Sequence, residues 1–203
     1  MTAIARLRRR DDDMMSEERE LFEIVKKRSF LQGKFELASG AISDLYFNLK
    51  STMMSARGAE LWAKIFLSRI RESNAEYVGG LEMGAVPVLG SLVAISAVEG
   101  LPVKTFFVRK EAKKHGTQGL IEGLAPGETL SGKRVLIVDD VATSGGSIMD
   151  AVTPVRAAGA IVDTALVLVD REEGAVQRLA ENGIRLQSVF RGGEFRKNSQ
   201  AMN

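Results

Sequence analysis

Apolar residues along this chain switch between a helical and a strand-like spacing. Leu21, Phe22, Ile24 and Val25 form an apolar face behind Ser16, Glu17 and Glu18, residues that suit a helix cap and its first turn. Phe35 and Leu37 alternate with polar neighbours, Ser39-Gly40 turns, and Leu45 to Leu49 reads as the return strand of a hairpin. Ala59 to Ile70 is predicted helical, with Leu61, Trp62, Ile65, Phe66 and Ile70 on one side. Tyr77-Val78 is a short strand entering a Gly79-Gly80 turn, Val86 to Val98 a helix and Val103 to Val108 a strand. Arg109 to Gly127 is too charged and glycine-rich for a core element. A strand is then expected over Arg134 to Asp139, a helix over Ile148 to Ala158, a strand over Ala160 to Val169, a helix over Ala175 to Asn182 and a strand over Arg185 to Phe190. From Tyr77 onward the alternation predicts an α/β fold with a mainly parallel, twisted sheet flanked by helices. The helix and hairpin of residues 16–50 fall outside it and are expected to form a small hood over one end of a core spanning about 56–190. Residues 16–203 thus read as a single domain.

Composition narrows the chemistry. With 203 residues the chain can bury one sizeable core. It has no Cys, which excludes disulfides, thiolate nucleophiles and Cys-ligated zinc, and its one histidine, His115, excludes a multi-His metal site within one chain. A net charge of +2 implies no global affinity for nucleic acid. The uncharged stretch from Met83 to Val98 contains Pro87 and is short for a membrane span; it reads as a loop entering a buried helix. Residues 1–15 place a basic block before Asp11, Asp12 and Asp13 without an apolar targeting core, and a disordered, solvated tail and a cytoplasmic location are expected.

The most informative stretch runs from Val135 to Ser147. Val135, Leu136, Ile137 and Val138 read as a buried strand, and Asp139 and Asp140 stand where it should end. Thr143-Ser144-Gly145-Gly146-Ser147 then leads into a helix. Ligands of open α/β sheets bind at the carboxyl ends of strands. A Gly/Ser/Thr loop at a helix start offers N–H groups, hydroxyls and a positive dipole end, which suit phosphate. Carboxylates beside it suit hydroxyls of the same ligand, so the motif asks for a phosphorylated sugar. A second cluster, Arg109-Lys110-Glu111-Ala112-Lys113-Lys114-His115-Gly116, sits in a long segment after a strand. Alone it reads as a solvated loop; beside the first motif it suits a cationic lid over an anionic leaving group.

The first motif resembles the phosphoribosyl pyrophosphate (PRPP) signature of type I phosphoribosyltransferases. The second closely resembles the Arg-Lys-Glu-x-Lys-x-His-Gly loop of the orotate phosphoribosyltransferase family. The resemblance spans about Leu21 to Phe190 and implies the type I phosphoribosyltransferase fold. It implies transfer of ribose 5-phosphate from PRPP to orotate, giving orotidine 5'-monophosphate and pyrophosphate in pyrimidine synthesis. By the resemblance, Asp139 and Asp140 face the ribose hydroxyls, Thr143, Ser144, Gly145, Gly146 and Ser147 wrap the 5-phosphate, and Val141 and Ala142 belong to the same PRPP-binding stretch. Arg109, Lys113 and His115 would reach a neighbouring subunit's site and Lys110 its own, making a homodimer. The catalytic set would be Lys113, His115, Arg109 and Asp140. Arg171, in Asp170-Arg171-Glu172-Glu173-Gly174, and Thr143 match positions that touch orotate. Mg²⁺ is the implied cofactor, held mainly by PRPP and water, with no metal ligand assigned to the protein. Two departures stand out: Ala38 and Met83 occupy positions where many members carry Lys. Transfer to another base, or a non-catalytic PRPP-sensing regulator, are the alternative readings; the lid argues against purine bases and would be unnecessary in a sensor.

Overall fold

The computed structural model describes residues 3–36, 42–111 and 119–200. It opens with α1 (Ala3–Arg28), the hairpin β1 (Phe30–Glu36) and β2 (Ile42–Phe47), the one-turn helix α2 (Lys50–Met53) and α3 (Ala56–Glu72). There follow β3 (Tyr77–Gly79), α4 (Val86–Val98) and three short strands, β4 (Lys104–Thr105), β5 (Phe107–Val108) and β6 (Ile121–Glu122). The chain continues through β7 (Arg134–Ala142), α5 (Gly146–Ala157), β8 (Ile161–Asp170), α6 (Ala175–Glu181), β9 (Arg185–Arg191) and α7 (Gly192–Gln200).

The main sheet has five strands in the order β4-β3-β7-β8-β9, all parallel, as the alternating pattern predicts. Side chains alternate across a strand, so β7 feeds two cores. Leu136 and Val138 join Leu61, Trp62 and Phe66 of α3 and Leu92 of α4 on one face. Val135 and Ile137 join Ile148, Val152 and Val155 of α5 and Leu179 of α6 on the other. Phe66 and Trp62 are fully buried, each worth roughly 2–3 kcal/mol by area removed from water.

The hood is bound to the core by aromatic rings. Phe195 of α7 stacks on Phe22 of α1 at 4.3 Å between centroids and meets Phe47 of β2 edge-on at 5.1 Å. Phe30 of β1 lies 5.3 Å from Phe47. These contacts set the hairpin over the carboxyl ends of the central strands, where α2 also lies.

Several boundaries are corrected. The first helix does not start at Ser16; α1 runs from Ala3 through the charged segment read as a tail, whose Arg, Leu, Ala and Met residues are good helix formers. The strand over Val103 to Val108 divides in two: β4 joins the main sheet, and β5 pairs antiparallel with β6 while Val108 still bridges Leu81 just beyond β3. Arg109 to Gly127 therefore contains a strand, and Arg109 N–H donates to the Leu120 carbonyl at 2.8 Å next to that pairing. Finally, β7 does not stop at Asp139, because β8 pairs with it as far as Ala142, opposite Asp170.

Candidate active site

Extension of β7 puts both carboxylates inside a central strand, where Asp139 and Asp140 are only 4% and 8% exposed. The pleat directs them to opposite sides. Asp139 meets the start of α5, where Ser147 Oγ donates to its Oδ2 at 2.7 Å and the Asp140 N–H donates to its Oδ1 at 2.9 Å. Asp140 accepts the Val141 N–H at 2.8 Å on Oδ1, and its Oδ2 faces α2, with Lys50 Nζ 4.0 Å away. Burial pushes the Asp139 carboxyl well above the usual carboxylate range, and the neighbouring Asp140 charge adds to this against the Ser147 hydrogen bond. Burial also raises Asp140, opposed by the Lys50 charge. The strand end is therefore a place where negative charge is costly until a ligand supplies hydroxyl donors or cations.

The chain leaves β7 through Thr143 and Ser144 to Gly145, whose φ of 76° is in the left-handed region open to glycine. That turn starts α5 at Gly146 without any side-chain cap on its first N–H groups. Gly146 and Ser147 line a cleft of about 570 Å³ together with Asp139, Asp140, Val141, Thr143 and Asp150. An uncapped helix start opening into a cleft suits an anionic group. Of the remaining residues in this motif, Ala142 is buried and Ser144 exposed.

The opposite wall comes from the turn after β3, Leu81-Glu82-Met83-Gly84, together with Lys50 and Lys110. The Glu82–Met83 peptide is cis. A Cβ at Gly84 would collide with Asp139 Oδ1, so only glycine lets this turn lie directly on the carboxylate. The Lys110 N–H donates to Glu82 Oε1 at 3.0 Å, fastening the base of the cationic segment to the same turn. Among the described lining residues, Glu82, Asp139, Asp140 and Asp150 carry negative charge and Lys50 and Lys110 positive charge. A phosphorylated ligand therefore needs further cations, from residues 112–118 or from a metal ion.

The other predicted residues are divided. Arg109 lies at the foot of the segment and donates from Nε to the Glu111 carbonyl at 3.1 Å. Lys113, His115 and Ala38 lie outside the described residues. Arg171 is not among the residues lining the cleft; it is buried beneath the hairpin, with Nη2 donating to the Leu45 carbonyl at 3.0 Å and to Glu173 Oε1 at 2.8 Å. Its N–H donates to the Ala142 carbonyl at 2.9 Å, which brings it next to Thr143. The two residues matched to orotate thus directly follow the paired ends of the adjacent parallel strands β7 and β8.

Sequence reasoning missed Lys50 and Asp150. Asp150 follows Gly146 by one helical turn, so its place on the open end of α5 was legible from spacing. Lys50 carries no local signal; only the docking of α2 beside β7 brings it to Asp140.

A family model described as "Phosphoribosyl transferase domain" matches residues 49–185. The orotate phosphoribosyltransferase of Bradyrhizobium diazoefficiens is 51% identical over 87% of this chain and 95% of its own length. Among solved structures, orotate phosphoribosyltransferase of Mycobacterium tuberculosis in complex with Fe(III) dicitrate superposes with a TM-score of 0.74 at 34% identity, over 88% of this chain and 98% of that one. The same enzyme in complex with PRPP gives a TM-score of 0.71 at 30% identity, again over 88% and 98%.

Proposed function

The chain belongs to the orotate phosphoribosyltransferase family, and on that premise we propose that it transfers the 5-phosphoribosyl group of PRPP to orotate, releasing orotidine 5'-monophosphate and pyrophosphate. The observation that carries the reading is the buried Asp139–Asp140 pair at the end of β7 opening, in one cleft, onto the uncapped start of α5. The sugar phosphate lies at Gly146 and Ser147, and the ribose hydroxyls donate to the two carboxylates. That relieves the unfavourable charge that burial creates there. The base lies between Thr143 and Arg171, whose planar guanidinium suits a planar, oxygen-rich ring better than an ammonium does.

The reaction is a displacement at the anomeric carbon through an oxocarbenium-like transition state. No side chain needs to act as nucleophile; positioning and charge stabilisation supply the rate. Among the described residues no three His, Cys, Asp or Glu side chains converge on a metal position. The hard carboxylate oxygens of Asp139 and Asp140 suit Mg²⁺ through water, with the ion carried mainly by PRPP. When bound, Mg²⁺ neutralises charge on the departing pyrophosphate. Chelation of Mg²⁺ is expected to abolish turnover.

Arg109, Lys113 and His115 complete the site of a neighbouring subunit, and Lys110 serves its own. A homodimer is supported by the exposed apolar residues Val93 and Val98 of α4, which starts just beyond the turn 81–84, and Leu101 beyond its end. Mixing Lys113→Ala with Asp140→Ala subunits should restore part of the activity, because one site in a hybrid dimer is intact; no recovery after confirmed exchange contradicts sharing. Among the described residues no helix is long and apolar enough to cross a membrane. We place the protein in the cytoplasm, with no nucleic-acid or membrane partner. The reaction itself is tested by incubating the protein with orotate, PRPP and Mg²⁺: equimolar orotidine 5'-monophosphate and pyrophosphate are expected, and no product overturns the reading.

A further inference from the structure

We propose that Lys50 is the protein's own cation for the pyrophosphate end of PRPP, an assignment that rests on the PRPP reading above. A ligand lying across β7 has its two ends set by the pleat. Asp139 turns toward Ser147 and the start of α5, where the 5-phosphate is held. Asp140 turns the other way, toward Lys50. The far end of the ligand therefore arrives between Lys50, Lys110 and the Leu81–Gly84 turn, which line the same cleft.

Lys50 is built to stay there. Its neighbours Leu49, Thr52 and Met53 are buried. Thr52 Oγ1 and Ser29 Oγ hydrogen bond at 2.7 Å, and a Cβ at Gly58 would collide with the Thr52 carbonyl, so α3 packs tightly against α2. The main chain of α2 is thus fixed while the Lys50 side chain remains 62% exposed. At 4.0 Å its Nζ is beyond hydrogen-bond distance of Asp140 Oδ2, and among the described residues Nζ donates to no acceptor. An exposed ion pair at that distance is worth little. The donors of the ammonium are left for a ligand. On the same wall, Met83 is 59% exposed and brings no charge to the turn on which pyrophosphate would lie.

The test is calorimetric binding, which needs neither orotate nor turnover. Lys50→Met should weaken Mg²⁺–pyrophosphate and PRPP by roughly tenfold to a hundredfold, the scale of a lost charge-assisted hydrogen bond, and change ribose 5-phosphate by about twofold at most. Lys50→Arg should keep most of the affinity. Placing a cation on the neighbouring turn of the same wall, in the double variant Lys50→Met/Met83→Lys, should recover pyrophosphate binding. Pyrophosphate binding by Lys50→Met equal to wild type overturns the assignment, as does an equal loss for ribose 5-phosphate, which would mark Lys50 as merely a partner of Asp140. Wild-type protein that binds neither PRPP nor Mg²⁺–pyrophosphate overturns the reaction reading as well; wild-type binding with an indifferent Lys50→Met overturns Lys50 alone.

Discussion

One wall of the cleft is a single stretch of chain, and the other is gathered from distant parts of it. The first wall, Asp139 to Asp150, is a strand end, a turn and a helix start. Its carboxylates are positioned by neighbours within eight residues, and its strand is clamped between β3 and β8. The second wall takes Lys50 from α2, Leu81–Gly84 from the turn after β3 and Lys110 from the end of β5. Arg171 reaches under the hairpin to the Leu45 carbonyl, 126 positions away. The difference assigns tasks. A ligand phosphate needs a rigid, preorganised cradle, which local hydrogen bonds in a parallel sheet provide. A reactive sugar needs a cover that opens for substrate and closes against water, which has to come from elements outside that sheet.

If tasks divide this way, variants of the two walls should fail differently. The largest effect is expected on the covering side: Lys113→Ala should lower kcat by roughly 10²–10³, the scale for losing a preorganised transition-state donor, with PRPP binding largely kept. A steady-state rate within a few fold of wild type would remove Lys113 from that role. Arg171→Lys should raise KM for orotate by roughly tenfold to a hundredfold and leave KM for PRPP nearly unchanged, since one ammonium cannot reproduce the forked guanidinium donors. Equal changes in both constants would make Arg171 a brace for the hairpin, through Leu45, instead of a base-binding residue. Gly84→Ala sharpens the boundary between the walls. The added methyl meets the Asp139 carboxylate, and a rise in KM for PRPP of about tenfold is expected without loss of fold, the scale of a small misplacement at a packed site.

The smallest effect concerns stability on the anchoring side. Asp139 has its folded-state carboxyl raised, from 3.8 to about 7. The protonated form therefore favours the folded state below the unfolded value, and that contribution is lost as pH rises through the folded value. Ligand-free protein should lose stability across this window, and Asp139→Asn should not. At pH 8 the variant should melt roughly 2–4 °C higher, as about 1 kcal/mol does for a chain of this size, although it should be the poorer enzyme. Thermal denaturation against pH checks this; parallel curves for the two proteins would contradict it.

The same contrast decides what the sequence could disclose. The first wall was legible because it is contiguous: an apolar strand, two acids and a Gly/Ser loop follow one another along the chain and line one side of the cleft. Its strand end was misjudged, since pairing with β8 carries β7 past Asp139 to Ala142, and a partner strand cannot be read from local pattern. The split between β4 and β5 was hidden for a similar reason: Val103 to Val108 is one apolar run, but only its second half takes β6 as a further partner. Lys50 was illegible because nothing around it in the sequence resembles a site. It enters the cleft only through the packing of Thr52 on Ser29 and of Gly58 on α2. The α/β class itself was plain, because helical and strand spacings alternate cleanly from Tyr77 onward.

The central claim is phosphoribosyl transfer to orotate, with the base selected between Thr143 and Arg171. It is tested most directly by initial rates with PRPP, Mg²⁺ and a panel of orotate, uracil and adenine. Orotate should exceed the other two by roughly a hundredfold or more, because a site built to bond a substrate's polar groups rejects analogues that lack them. Comparable rates for uracil or adenine, or no PRPP-dependent consumption of orotate, would contradict it.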